Sequence, residues 1–247
     1  MSKGTIFPIT QVPKTIPNLF AWLDASDTST ITSSGGLVSN VRNKANTLMD
    51  FSQSTGANKP TTGASTINGK NVITFSGSPV RLNNDGLAAY ITGTSMPLSS
   101  YVVFNNTNSA AESTMCSFGS SSLANPLYIM SNGTSNGIRY LKRIDSGAAS
   151  SATGTISPIN VPAIFSGLYS GTNLNASLNG VSFFNNAFGA GAITLDAFSI
   201  GCRTANGVFS AFYVGDIAEI IFYNRLLSAA ENTLIIKYLA NKWAISA

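Results

Sequence analysis

The side chains able to do chemistry are few: ten acids, two cysteines and no histidine among 247 residues. The missing histidine excludes Ser-His and Cys-His nucleophile pairs, the usual zinc sites and the commonest general base. Glycoside hydrolysis needs only two carboxylates, roughly 5 to 9.5 Å apart, so the acids decide that question. The glutamates are Glu112, Glu219 and Glu231. Glu231 closes the run Ser228-Ala-Ala-Glu231, a capping box in which the Ser hydroxyl accepts from the first-turn backbone and the Glu reaches back to the cap amide. Asp216 and Glu219, three apart on a strand, are expected on opposite faces and unable to flank one bond. Asp24 and Asp27 stand in LDASD, a turn signature in which Asx side chains bind backbone amides. Calcium asks for several clustered oxygen ligands, and the sequence holds no dense acidic loop. No catalytic residue, metal ligand or cofactor is assigned, and ligand-binding residues stay unassigned.

Strands must do the positioning. Residues 215–243 read GDIAEIIFYNRLLSAAENTLIIKYLANKW. Ile217, Glu219, Ile221 and Tyr223 alternate with Ala218, Ile220, Phe222 and Asn224, as in a strand buried on both sides. Beyond the cap, Leu234, Ile235, Tyr238, Leu239 and Trp243 form a helical stripe that must dock on a sheet. Earlier apolar runs predict strands at 71–76, 100–105, 114–119, 127–131, 137–143, 163–169, 175–178, 181–184 and 197–201. Asn-Gly pairs at 68–69, 132–133, 136–137, 179–180 and 206–207 suit hairpin turns with positive φ. Residues 146–155, small and polar, read as a flexible loop. Pro8, Pro13 and Pro17 forbid a helix in residues 1–17 and favour an extended or polyproline-like arm. The chain is therefore all-β with one short C-terminal helix, divided into an arm, 1–17, and one domain, 18–247.

Composition narrows the partners. Charged residues are 10% of the chain and the net charge is +4, so the surface is solvated by hydroxyls and amides. The one local basic cluster is Arg139, Lys142 and Arg143, with Arg139 and Arg143 on one strand face and Lys142 on the other. A nucleic-acid footprint needs a longer stripe with stacking aromatics, so no nucleic-acid partner is expected. Residues 1–20 carry no apolar run of signal-peptide length, and no stretch nears the ~20 apolar residues of a membrane helix, so no membrane insertion is expected. Cys116 and Cys202 each sit in an apolar strand-like run and read as buried free thiols.

Residues 18–32 (NLFAWLDASDTSTIT), 58–76 (NKPTTGASTINGKNVITFS) and 198–243, with Leu178-Asn-Gly-Val181 as a hairpin, resemble the concanavalin A-like lectin/glucanase superfamily. More narrowly they resemble the laminin-G-like jelly rolls of bacterial surface proteins and bacteriophage virion proteins. The resemblance implies an antiparallel two-sheet jelly-roll sandwich. It departs at residues 41–46 (VRNKAN), where many relatives carry a Trp and an Asp-x-Ser-Gly-Asn run. The Glu-x-Asp-x-x-Glu motif of the superfamily's glucanases is absent, so the chain is expected not to be an enzyme. A rim calcium, as in some laminin-G-like domains, would draw on Asp24, Asp27 or Asp85. Glycan recognition would use exposed aromatics, for which Tyr90, Tyr128, Tyr140 and Tyr169 are the better candidates. The leading expectation is a structural or adhesive component of a virus particle, a bacteriophage decoration or tail-associated protein located on the virion. Its partners would be other virion subunits, reached through residues 1–17, and cell-surface glycans. The alternative is a glycan-binding module or adhesin of a bacterial surface, and a polysaccharide hydrolase is the minority reading.

Overall fold

The computed structural model describes residues 9–108, 112–132, 137–154 and 158–247. Two antiparallel sheets face each other, as expected for a jelly-roll sandwich. The first runs through Thr61–Ile67, Lys70–Ser76, Val214–Tyr223, Leu98–Asn106, Ala163–Tyr169, Asn173–Leu178 and Val181–Ala187, and Leu19–Asp24 pairs with the second half of Val214–Tyr223. The second runs through Ala149–Thr153, Ile138–Arg143, Leu127–Asn132, Ser113–Gly119, Ala197–Ile200, Leu82–Asn83, Phe51–Ser52 and Leu37–Val41, with Ile31–Ser34 at its end. Leu37 and Thr61 join the two sheets at one corner.

Alternation fills the space between the sheets. Phe104, Phe165, Ile220 and Phe222 of the first sheet meet Phe51, Leu82, Phe118, Tyr128, Tyr140 and Phe198 of the second, all nearly solvent-free. The outer face of the first sheet is buried too, because Trp22, Tyr101, Val103, Ile221 and Tyr223 pack under the helix Ala229–Trp243 through Ile235, Tyr238, Leu239 and Trp243. The strand Val214–Tyr223 therefore serves two cores, which is why it reads as continuously apolar. The capping box forms as expected, with Glu231 N donating to Ser228 Oγ and Ser228 N to the Glu231 carboxylate.

Three local expectations change. Residues 9–17 are not extended: Ile9–Thr15 is a 3-10 helix, and Pro13 and Ile16 are buried against the C-terminal helix and the adjoining strand. The Tyr223 hydroxyl donates to Pro13 O at 2.9 Å, and Arg225 Nε donates to Pro17 O at 3.2 Å. Proline's fixed φ is compatible with one tight helical turn, and apolar contact with the helix outweighs the lost backbone donors. The part of the expected arm in residues 1–8 lies outside the described residues. Next, Ala149–Thr153 is a strand paired with Ile138–Arg143, not a loop; an edge strand needs only backbone pairing, which small residues permit. The third change is a β-bulge between Ile217 and Glu219. The extra residue turns Ile217 inward with Ile220 and Phe222, and leaves Glu219 on the helix side with Ile221 and Tyr223.

Asn68-Gly69, Asn179-Gly180 and Asn206-Gly207 all adopt positive φ at both positions, as hairpin turns demand. The pairs at 132–133 and 136–137 fall partly outside the described residues. Among the described residues no helix is long and apolar enough to cross a membrane.

Candidate functional site

The acids weighed for chemistry are held by protein partners. The bulge brings Asp216 and Glu219 to the same face, against expectation, yet each is occupied. Asp216 accepts from Ser65 Oγ at 2.9 Å and Thr74 Oγ1 at 2.6 Å. Glu219 is buried beneath the helix and accepts four bonds: Trp22 Nε1 and Tyr238 OH on Oε1, Trp243 Nε1 and Lys242 Nζ on Oε2, at 2.7 to 2.8 Å. Burial raises its carboxyl above the usual range and the Lys242 ammonium only partly offsets this. Lys242 also reaches Asp24 at 2.6 Å. Burial opposes the Asp24 charge, but Lys242, Ser26 and Lys44 outweigh it and hold the carboxyl low. Asp24 and Asp27 both accept from Lys44 Nζ at 2.9 Å, so an ammonium already lies between them. Asp85 is not part of that group; its Oδ1 accepts from Phe198 N at 3.3 Å, and burial raises its carboxyl.

The tyrosines singled out for exposure are inside. Tyr128, Tyr140 and Tyr169 are buried between the sheets because the inward parity of their strands carries them there. Tyr90 is half-buried and stacks on Phe20 with ring centroids 5.0 Å apart. Lys142 follows the same inward parity as Tyr140, away from Arg139 and Arg143 as the alternation predicts. Its Nζ donates to the Tyr169 hydroxyl at 2.9 Å and lies 4.5 Å from that ring's centroid. No carboxylate pairs with it among the described residues, and burial pushes its ammonium down to about 8. Cys116 and Cys202 are buried and unpaired, as expected.

A site that the sequence reading missed lies on the outer face of the second sheet. A hairpin, Arg203–Ala205 with Val208–Ser210, folds flat over that face. Ser117 Oγ donates to Cys202 O and accepts from Thr204 N, and the backbone comes so close that a Cβ on Gly119 would collide with Thr204 O. Beside the hairpin runs a groove of about 450 Å³ lined by Ser39, Ser52, Gln53, Thr55, Arg81 and Asn83. It continues across Ser52 and Asn83 into a second hollow of about 450 Å³ bordered by Leu48, Met49, Asp50, Asn84 and Asp85.

The strands explain why these side chains converge. Phe51 and Leu82 point into the core, so Ser52, Arg81 and Asn83 point out. The Arg81 guanidinium lies 3.8 Å from the centroid of Phe209 on the hairpin and donates through Nη1 to Pro79 O at 3.0 Å. Its Nε has no hydrogen-bond partner, and no carboxylate pairs with it among the described residues; Asn83 Oδ1 is likewise unpartnered. An oriented cation, amides and several hydroxyls thus line one groove, an arrangement suited to binding polar ligands.

No family model and no curated protein matches the chain. Solved structures match it in fold. The CBM40 of the Ruminococcus gnavus IT-sialidase bound to alpha2,3 sialyllactose aligns over 67% of this chain and 95% of its own, at 14% identity and TM-score 0.57. The leech intramolecular trans-sialidase complexed with 2,7-anhydro-Neu5Ac aligns over 68% of this chain and 27% of its own, at 16% identity and TM-score 0.56. Trypanosoma rangeli sialidase in complex with sialic acid aligns over 92% of this chain and 33% of its own, at 11% identity and TM-score 0.59. At these identities the likeness establishes the lectin-like β-sandwich and nothing finer.

Proposed function

We propose that the protein is a non-enzymatic glycan-binding module whose ligand lies in the groove beside the 203–210 hairpin. The observation that carries this reading is the groove itself, where the hydroxyls and amides of Ser39, Ser52, Gln53, Thr55 and Asn83 converge with the Arg81 guanidinium, which lies against the Phe209 ring. Sugar hydroxyls both donate and accept, so they match a lining of hydroxyls, amides and a guanidinium. The structural neighbours that carry sialyllactose or sialic acid add support at the level of the fold. An extracellular or surface setting fits such a module.

Virion membership, the leading expectation from sequence, keeps only the sequence resemblance as support. Its proposed anchor was the arm, and residues 9–17 of that arm dock on the chain's own helix.

The test is a glycan array followed by titration calorimetry, comparing the intact chain with Asn83→Ala. Binding to at least one glycan class is expected, weakened about tenfold in the variant by loss of a ligand hydrogen bond. A chain that binds no glycan on the array, or binds with an affinity unmoved by Asn83→Ala, defeats the proposal.

A further inference from the structure

Resting on the glycan-binding reading, we infer that the groove reads a run of linked sugars and not a single one. A glycan chain lies along the seam between residues 48–55 and 81–86 and crosses it at Ser52.

One antiparallel pairing sets the seam. Ser52 pairs with Asn83, so the two segments run in opposite directions and keep company on both sides of that pair. On one side Gln53 Nε2 reaches Arg81 O at 3.5 Å, and on the other Asn84 Nδ2 donates to Asp50 O at 2.8 Å. The two hollows follow the same division. The first takes Ser54, Thr55 and Arg81, the second takes Leu48, Asp85 and Gly86, and Ser52 and Asn83 border both. They are successive stations along one line. From Arg81 to Asp85 the backbone spans up to roughly 13 Å, longer than one pyranose ring. Each hollow, at about 450 Å³, is already the size of an ordinary small-ligand site, roughly 300 to 1,000 Å³. A monosaccharide would occupy one station and leave the other to water.

Accessible side chains stand in both hollows and at the junction. Ser54 and Thr55 are exposed at one end, Ser52 at the crossing, and Leu48 and Asp85 at the other end. The Ser and Thr hydroxyls donate and accept, as sugar hydroxyls do. The Asp85 carboxylate takes Phe198 N on Oδ1 at 3.3 Å, and its exposed side chain has acceptor capacity left for a sugar hydroxyl. Leu48, 91% exposed, offers apolar contact to the C–H face of a ring. A hydrogen bond at an exposed site adds little net, because it replaces one to water. Affinity along such a lining therefore has to accumulate over several sugar units.

The test is calorimetry on the intact chain with ladders of one to six units from the cello-, chito-, manno- and malto-oligosaccharide series. In at least one series affinity should rise about tenfold or more from two units to four and then level off. Ser52→Leu, whose folding is checked by its melting temperature, should pull the four-unit ligand back to two-unit affinity and leave the two-unit ligand within about twofold. Thr55→Ala and Asp85→Asn, at opposite ends and without added bulk, should each weaken the four-unit ligand by about threefold or more. Weakening at one end alone, or a length dependence that a folded Ser52→Leu leaves intact, overturns the inference. Equal affinity for one, two and four units overturns it too, as does binding to array glycans with none of the ladders bound; both leave the glycan-binding proposal standing. Silence from the array and the ladders alike removes that proposal and this inference with it.

Discussion

Glu219 and Arg81 sit on opposite outer faces of the same sandwich, each charged and each covered by an added element. Under the C-terminal helix every oxygen of Glu219 is used, by two tryptophans, a tyrosine and a lysine. Under the 203–210 hairpin the satisfaction is partial: Phe209 and Pro79 O orient Arg81, while its Nε is buried without a hydrogen-bond partner. A carboxylate closed by four donors has no capacity left for a ligand, and removing any donor leaves buried polarity exposed to apolar walls. A guanidinium stacked on a ring and bonded once carries a smaller share of the fold, and its buried unpaired Nε is a small cost to it. The first network is fully satisfied and the second is not, although both look like a charge in a pocket.

The strongest way to break this contrast is to remove Glu219. Glu219→Ala should destabilise the fold by about 3 to 5 kcal/mol, because Lys242 and three ring or hydroxyl donors lose their acceptor at once. A urea midpoint near that of the wild type would show that the network is incidental. Trp243→Ala should cost about 3 kcal/mol or more, from the lost ring and the lost bond to Glu219; a loss under about 1 kcal/mol would make the helix peripheral.

A subtler probe is Lys142, buried like Glu219 but without an opposite charge. Its ammonium is held down to about 8 in the fold and titrates at 10.5 in the unfolded chain. Between those values the unfolded state binds more protons, so this lysine's contribution makes stability rise with pH from about 8 toward 10. Lys142→Met should raise stability at pH 7 by about 1 kcal/mol and flatten the rise, as read from urea midpoints at pH 7, 8 and 9.5. An unchanged pH slope would refute the account. The smallest effect belongs to Arg81→Ala, about 0.5 to 1 kcal/mol from the lost Phe209 stacking. A drop as large as that of Glu219→Ala would make Arg81 a structural residue and end the comparison.

Much of the fold was legible from local pattern. The strands at 163–169 and 197–201, the Asn206-Gly207 turn and the Ser228 cap are all specified by residues within one turn or one alternation. The bulge at 218 was not, because one extra residue in a uniformly apolar strand leaves the pattern unchanged while reversing its parity. The groove was even less accessible. Arg81-Leu-Asn83 does show a polar pair flanking an apolar residue, a period-two signal that was available. Yet its partners Ser52, Gln53 and Phe209 come from remote segments, brought together by the pairing of Ser52 with Asn83 and by the Phe209 ring over Arg81. The buried tyrosines illustrate the reverse error, since aromatic residues on alternating strands do not announce which parity faces inward.

The turn Ile9–Thr15 folds back onto the chain's own helix. It rests on the C-terminal helix, and the last residue, Ala247, lies beside Gly180 on that same side. Both described ends of the chain therefore emerge behind the first sheet, while the groove opens in front of the second. A polypeptide fused at the C-terminus would leave from the rear and cast no shadow over the groove. Copies tethered through the C-terminus to one surface would all turn this face outward, and any ligand the groove holds would then meet many copies at once, the condition under which linked weak sites gain avidity.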